Sequence, residues 1–273
     1  MSSQAFFTAD GANFIPNPIA NGPWGQTIGG HIVGGLLART VETAVTDPDL
    51  QPGRLTVDLL RPILMEPVQV QARIEREGRR ITLVDAAILQ HDRVVSRASA
   101  LFLRRGDDPD GQVWSPPLTM PPIPPTPAVI RPDLPMLLWS YGPNLDQPLP
   151  GVGAGEWEQM HAQKFAWVRD IRSLIEGEAC TAFTRAAMAA EVTSSMTHWG
   201  TAGLRFINAD YTMTLSRLPV GEFIGLAATA QFAAAGVATG TATLFDAGGP
   251  IGTGVAVALG QPAGAFTPPS LGH

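Results

Sequence analysis

The spacing of apolar positions changes twice along the 273-residue chain, in the same way each time. After Gly29-Gly30-His31 comes IVGGLLARTVETAV, in which Ile32, Leu36, Val41 and Val45 recur at helical spacing. Its internal glycines lower helix propensity, so this helix is expected to receive a neighbouring backbone at close range. Four strand-like runs follow at 54–62, 66–76, 79–90 and 93–104. In the second, Val68, Val70, Ala72 and Ile74 alternate with Gln69, Gln71 and Arg73, the period of a half-buried strand. The joints Glu77-Gly78 and Gln90-His91-Asp92 have hairpin length, which predicts a mostly antiparallel meander.

The order then repeats. A helical run at 180–196 precedes strand-like runs at 203–219, 222–232, 237–246 and 250–260. Arg61-Pro62 and Arg217-Leu218-Pro219 end corresponding strands, 156 positions apart. One helix followed by an antiparallel sheet, twice over, is an α+β plan in which each sheet wraps a central helix: a double hotdog. Thirteen of the 25 prolines lie between Gly106 and Pro150, where neither a helix nor a central strand is expected. The division expected is therefore an N-terminal hotdog at 1–105, a proline-rich connector at 106–160 and a C-terminal hotdog at 161–273.

Composition narrows the function. Apolar residues make up 45% and charged residues 15%, enough for a large core and too little charge for a coiled coil or a solvating tail. The net charge of −6, without a Lys/Arg run, argues against nucleic acid as a partner, while a small anion needs only a few local arginines. A single Cys180 excludes an intrachain disulfide framework and a Cys-rich zinc site. The start of the chain lacks a basic n-region and the most apolar stretch, 223–237, is short and interrupted by Gln231. The expectation is a cytoplasmic protein without a membrane span. No G-x-S-x-G elbow and no H-E-x-x-H pair is present, which disfavours a serine α/β-hydrolase and that class of zinc site.

Three stretches carry a resemblance. GGHIVGGLLARTVE, RLTVDLLRP and GRRITLVDAAILQHDRVVSRASALFL resemble the N-terminal half of TesB-type (type II) acyl-CoA thioesterases. FINADYTMTLSRLPVGEFIGL and LFDAGGPIGTGVAVAL are similar to the C-terminal half. The resemblance covers roughly 24–104 and 160–260. It implies hydrolysis of acyl-CoA thioesters by a water that an Asp, a Thr or Ser, and a Gln orient on the C-terminal hotdog. By position the Asp falls on Asp210 and the hydroxyl on Thr229, with Gln231 two residues further on. The Gln position falls near Ala256 or Val257, both apolar, so the third member is absent. The resemblance implies an acyl-CoA substrate, no cofactor or metal, and pairing of chains into a homo-oligomer, a dimer.

The residues themselves weigh the site. Alternation from Phe206 puts Asn208 and Asp210 on one strand face, and a carboxylate there needs hydrogen bonds or a solvated cleft. Glu191 is the only acid among the small residues of the second helix. Related hotdog enzymes use an acid on that helix as base or nucleophile, so Glu191 is the candidate to replace the missing Gln. The amides at Gly29, Gly30 and His31 open a helix and suit a thioester oxyanion. Arg61, Arg79, Arg80 and Arg217 suit the phosphates of coenzyme A. The rival reading is a non-catalytic acyl-CoA or lipid-binding protein with a degenerate site.

Overall fold

The computed structural model describes residues 4–115, 117–146, 149, 150, 157, 158 and 162–266; the rest of the expected connector and the last seven positions lie outside the described residues. The chain opens with a hairpin, β1 (Phe7–Asp10) and β2 (Asn13–Pro16), then α1 (Gly30–Thr43). The first repeat continues as β3 (Leu50–Leu59), β4 (Val68–Arg76), β5 (Ile81–Gln90) and β6 (Arg93–Arg104). Next come β7 (Met136–Tyr141), β8 (Leu149–Pro150), β9 (Phe165–Asp170), α2 (Ala182–Ala190) and α3 (Val192–His198). Last are β10 (Trp199–Gly200), β11 (Gly203–Leu204), β12 (Phe206–Asn208), β13 (Asp210–Leu215), β14 (Phe223–Ala234), β15 (Val237–Asp246) and β16 (Gly249–Gly260).

One continuous 14-stranded sheet runs β1-β2-β4-β5-β6-β3-β13-β16-β15-β14-β9-β7-β8, with β12 also on β16. The order β4-β5-β6-β3 is mirrored as β14-β15-β16-β13, so the repeats join through β3 and β13. This differs from the expected meander, because the first strand of each repeat pairs with the last and not with the second. The reason is visible at 60–67, where Pro62 and Pro67 bound a crossover too long and too donor-poor for a hairpin.

Both helices lie on the inner face. Leu36, Leu37 and Val41 of α1 share a core with Val57, Val84 and Phe102 of the first sheet, and with Phe183 and Met188 of α2 and Tyr211, Met213, Leu226 and Leu244 of the second sheet. The helices run antiparallel: Gly30 faces Glu191, Gly35 faces Met188, and Glu42 faces Thr181. A Cβ on Gly35 would stand 2.6 Å from Met188 Cγ, so glycine there is what lets α2 approach. The second helical run is capped by Thr181, whose side chain accepts from the Thr184 amide at 3.0 Å, and resumes as α3 after Glu191.

Two expectations change. In β4 only Val68 is buried, and Ile74 is 42% exposed, because a 14-residue helix of about 21 Å does not reach the far end of this strand. Within the proline-rich segment, the proline-free MLLWSY of β7 is a strand beside β9. Around it the connector straps the outer face of the second sheet: the Trp167 indole donates to Pro121 O at 2.9 Å, the Tyr141 hydroxyl to Pro122 O at 3.1 Å, and Arg169 to Thr126 at 3.0 Å. Leu118 and Met120 pack there on a second cluster that includes Trp139, Phe165 and Trp167. Prolines cannot donate to a ladder, but their carbonyls accept, so the strap is held by side-chain donors reaching up from the sheet.

Candidate active site

The seam between the repeats brings together the N-terminus of α1, Glu191 and Asn208. A Cβ on Gly30 would lie 2.6 Å from Glu191 Oε1, so only glycine leaves room for the carboxyl group at this helix start. The same oxygen accepts a hydrogen bond from Asn208 Nδ2 at 3.1 Å. Burial pushes the Glu191 carboxyl above the usual carboxylate range, and the Asn208 bond opposes that rise. The first amides of α1 have no carbonyl behind them, and their partial positive charge favours an anion in front of Gly30.

His31 folds back over Gly29, packs edge-on against Phe6 with ring centroids 5.8 Å apart, and leaves Nε2 buried without a partner. Burial lowers its pKa to about 4, so the imidazole is neutral near pH 7 and has one N–H to offer. Tyr211 was not among the sequence candidates, yet its hydroxyl donates to Ala187 O at 2.9 Å and a Cβ on Gly34 would lie only 1.9 Å from it. Burial and the Glu191 charge both raise the phenol. The signal available was Gly30-x-x-x-Gly34-Gly35, a helix face cleared for insertion.

Asp210 and Asn208 do not share a face. Asn208 pairs with Ala258 and Thr212 with Val255, so four steps on one strand oppose three on the other, and Ala209 forms a bulge. The bulge reverses the alternation: Tyr211, Met213 and Leu215 are buried on the inner face and Asp210 turns outward. There Asp210 Oδ1 accepts from the Val257 amide at 2.7 Å, and its register partner on β3 is Asp58. Partial burial and the Asp58 charge raise the Asp210 carboxyl while the amide bond lowers it.

Thr229 is also on the outer face, its hydroxyl 2.6 Å from that of Thr241, and both it and Gln231 are exposed. With β16 and β15 between β13 and β14, Asp210 and Thr229 are at least about 14 Å apart, beyond reach of one water. Thus the structure groups Glu191 with Asn208, Gly30 and His31, and leaves Asp210, Thr229 and Gln231 outside. Arg61 is exposed at the end of β3. Ala256 is fully buried, and the Val257 backbone amide donates to Asp210.

The two helices also face each other at the opposite end of the seam. There a cavity of about 190 Å³ is lined by Arg39, Glu42, Cys180 and Thr181, with Thr181 donating to Glu42 at 2.6 Å and Arg39 paired to Glu178. Among the described residues no cluster of metal-ligating side chains occurs, and no helix is long and apolar enough to cross a membrane.

Two sheets, each wrapped on a helix and joined edge to edge, define a double hotdog protein. The family model described as the acyl-CoA thioesterase N-terminal domain matches residues 20–103, and that of the acyl-CoA thioesterase C-terminal domain matches 117–259. The chain belongs to this acyl-CoA thioesterase family, in its TesB-type double hotdog form. Among solved structures it is similar to a tesB protein of Mycobacterium avium subspecies paratuberculosis (16% identity, 92% of this chain and 93% of that one, TM-score 0.65). It is also similar to acyl-CoA thioesterase II TesB2 of Mycobacterium marinum (18%, 94% and 95%, 0.63) and to a hotdog protein of Alicyclobacillus acidocaldarius (15%, 94% and 96%, 0.67). No curated protein sequence matches the chain.

Proposed function

We propose that the chain hydrolyses acyl-CoA thioesters at the seam between its repeats, with Glu191 as the general base. The observation that carries this reading is the Glu191 carboxylate lodged against Gly30 and held by Asn208. A carboxyl with a raised pKa is a stronger base than a free one, and a water within its hydrogen-bond reach would lie in front of the α1 amides. The thioester carbonyl oxygen would take the Gly30 and His31 N–H groups as it becomes an oxyanion. Water attacks the carbonyl carbon, its proton passes to Glu191, and collapse of the tetrahedral intermediate expels the coenzyme A thiolate. Proton return from Glu191 to that thiolate restores the base. Asn208 orients the carboxyl group and acts through it.

The test is thiol release across a series of acyl-CoA chain lengths. Glu191→Gln keeps the shape and the Asn208 neighbour, and is expected to lower kcat by about 10²–10⁴. Asp210→Asn and Thr229→Ala are expected to stay within a few-fold of wild type. Full loss in Asp210→Asn with an active Glu191→Gln moves the chemistry to the outer face and sinks this reading. The apolar pair Ala256 and Val257 favours one alternative, an acyl-CoA-binding protein without turnover. Its signature is micromolar binding of an acyl-CoA that is never cleaved.

A further inference from the structure

A second charged feature lies far from Glu191. The β4–β5 turn and the end of β6 enclose a concavity of about 530 Å³ lined by Arg76, Arg79, Arg80 and Arg104 over Ile81 and Leu103. Leu50 of β3 pairs with Arg104, whereas the α1 N-terminus sits past the other end of that strand, where the Ile28 amide donates to Ile63 O. Ten residues of extended chain place the two features about 30 Å apart.

Three observations say that these arginines are there for a ligand. First, the turn is built rigid. Arg104 donates from Nε to Arg79 O at 2.6 Å and from its backbone amide to Arg80 O at 3.0 Å, while its guanidinium is neutralised by Asp47 and Asp49. Second, Arg76, Arg79 and Arg80 are exposed, and no carboxylate lies within ion-pair distance of them among the described residues, whereas the neighbouring Arg73 and Arg104 are both paired. Three uncompensated guanidinia side by side repel one another, a cost that a bound anion removes. Third, the fold does not ask for them. The equivalent β14–β15 turn of the second repeat reads Ala233-Ala234-Ala235-Gly236 and closes the same hairpin without any charge.

We infer that this concavity is a binding site for a phosphate-bearing polyanion, of the diphosphate class, separate from the thioester site. Guanidinium forks match phosphate oxygens two at a time, and three of them balance a diphosphate better than a single phosphate. The aliphatic floor of Ile81 and Leu103 leaves room for the organic part that carries the phosphates. The chemistry is common to a soluble nucleotide and to an anionic lipid headgroup.

The experiment is isothermal titration of the full chain with inorganic pyrophosphate, inorganic phosphate and adenosine diphosphate, with flotation on phosphatidylglycerol vesicles in parallel. Pyrophosphate is expected to bind more tightly than phosphate, with an affinity that falls as salt rises. Arg79→Ala/Arg80→Ala should weaken it at least tenfold, Arg79→Lys/Arg80→Lys less, and Arg93→Ala not at all. Tighter binding of adenosine diphosphate than pyrophosphate assigns the site to nucleotides; vesicle binding lost in the same double variant assigns it to lipid. Absence of both pyrophosphate and vesicle binding overturns the inference, as does equal pyrophosphate affinity in wild type and the alanine variant. Because the readout is binding, failure here leaves the Glu191 chemistry untouched.

Discussion

Thr56 and Thr212, 156 positions apart, sit opposite each other on β3 and β13 with their hydroxyl oxygens 3.0 Å apart. The same interval separates Arg61 from Arg217, so the two threonines are one position of the repeat meeting itself. A residue facing its own equivalent marks a two-fold axis, and the two repeats are related about this pair. The axis also exposes where the repeats have diverged. Asp210 opposes Asp58, whereas its counterpart Arg54 opposes Thr214. Thr56→Val and Thr212→Val should each cost about 0.5–1 kcal/mol in urea unfolding. The double variant should cost less than the sum, because the second change removes a partner already lost. Strict additivity would show that the pair contributes nothing across the seam.

Gly34 and Tyr211 make a sharper prediction. A methyl on Gly34 would meet the Tyr211 hydroxyl at 1.9 Å and its ring carbon Cζ at 2.9 Å. The hydroxyl is held by Ala187 O and the ring is fully buried, so it has nowhere to withdraw. Gly34→Ala should therefore destabilise the fold by about 2–3 kcal/mol through overpacking. In a Tyr211→Phe background the same change should cost visibly less. An unchanged cost there would show that the hydroxyl is not the obstacle.

Much of this architecture was legible because it is written in periodicity. The helix glycines, the strand alternation and the two-fold repetition of order are local patterns, and the burial of Leu36, Val57 and Met213 follows from them. The candidate site was only half legible, for a local reason. Alternation carried Asn208 and Asp210 to the same face, and a single bulged residue, Ala209, separates them. Nothing in Asn-Ala-Asp announces a bulge, since it arises from the register of β16 against β13. Tyr211 carries no signal of its own, because an aromatic residue in a strand reads as ordinary core. Its partner glycine, Gly34, lies 177 positions upstream, and only the packing of α1 on the second sheet connects them.

Asp246 gives the acid limb of the stability profile. Its buried carboxylate takes both terminal nitrogens of Arg217, one at 2.7 Å, and the amides of Val220 and Gly248, each at 2.8 Å. The Arg217 bonds above all hold its pKa down at about 2, below the ordinary aspartate value. A depressed carboxylate stabilises the fold above its unfolded pKa and loses that contribution as pH falls towards the folded value. Asp246→Asn should lower stability by about 2 kcal/mol at pH 7, with the gap to wild type closing below pH 4. Unfolding midpoints at pH 3 and pH 7 measure it, and a gap of the same size at both rejects the linkage.

Asp170 acts in the opposite direction. It ends β9 with Oδ1 buried and without a hydrogen-bond partner, and desolvation lifts its pKa to about 7 against a weaker pull from Arg185. Arg185 spends its hydrogen bonds elsewhere, on Cys180 O at 2.9 Å and Gly221 O at 3.1 Å, so it does not rescue the carboxylate. The folded state therefore holds a proton that the unfolded chain releases near pH 4. A raised carboxyl favours the fold fully below the unfolded pKa and loses that advantage as pH climbs to about 7. Asp170→Asn supplies a neutral group at every pH. It should be more stable than wild type at pH 8, by about 1–3 kcal/mol, and should converge with wild type near pH 4. Urea midpoints for the two chains between pH 4 and pH 8 give the difference directly. A variant less stable than wild type at pH 8 would mean that the charged Asp170–Arg185 attraction outweighs the cost of burying the carboxylate.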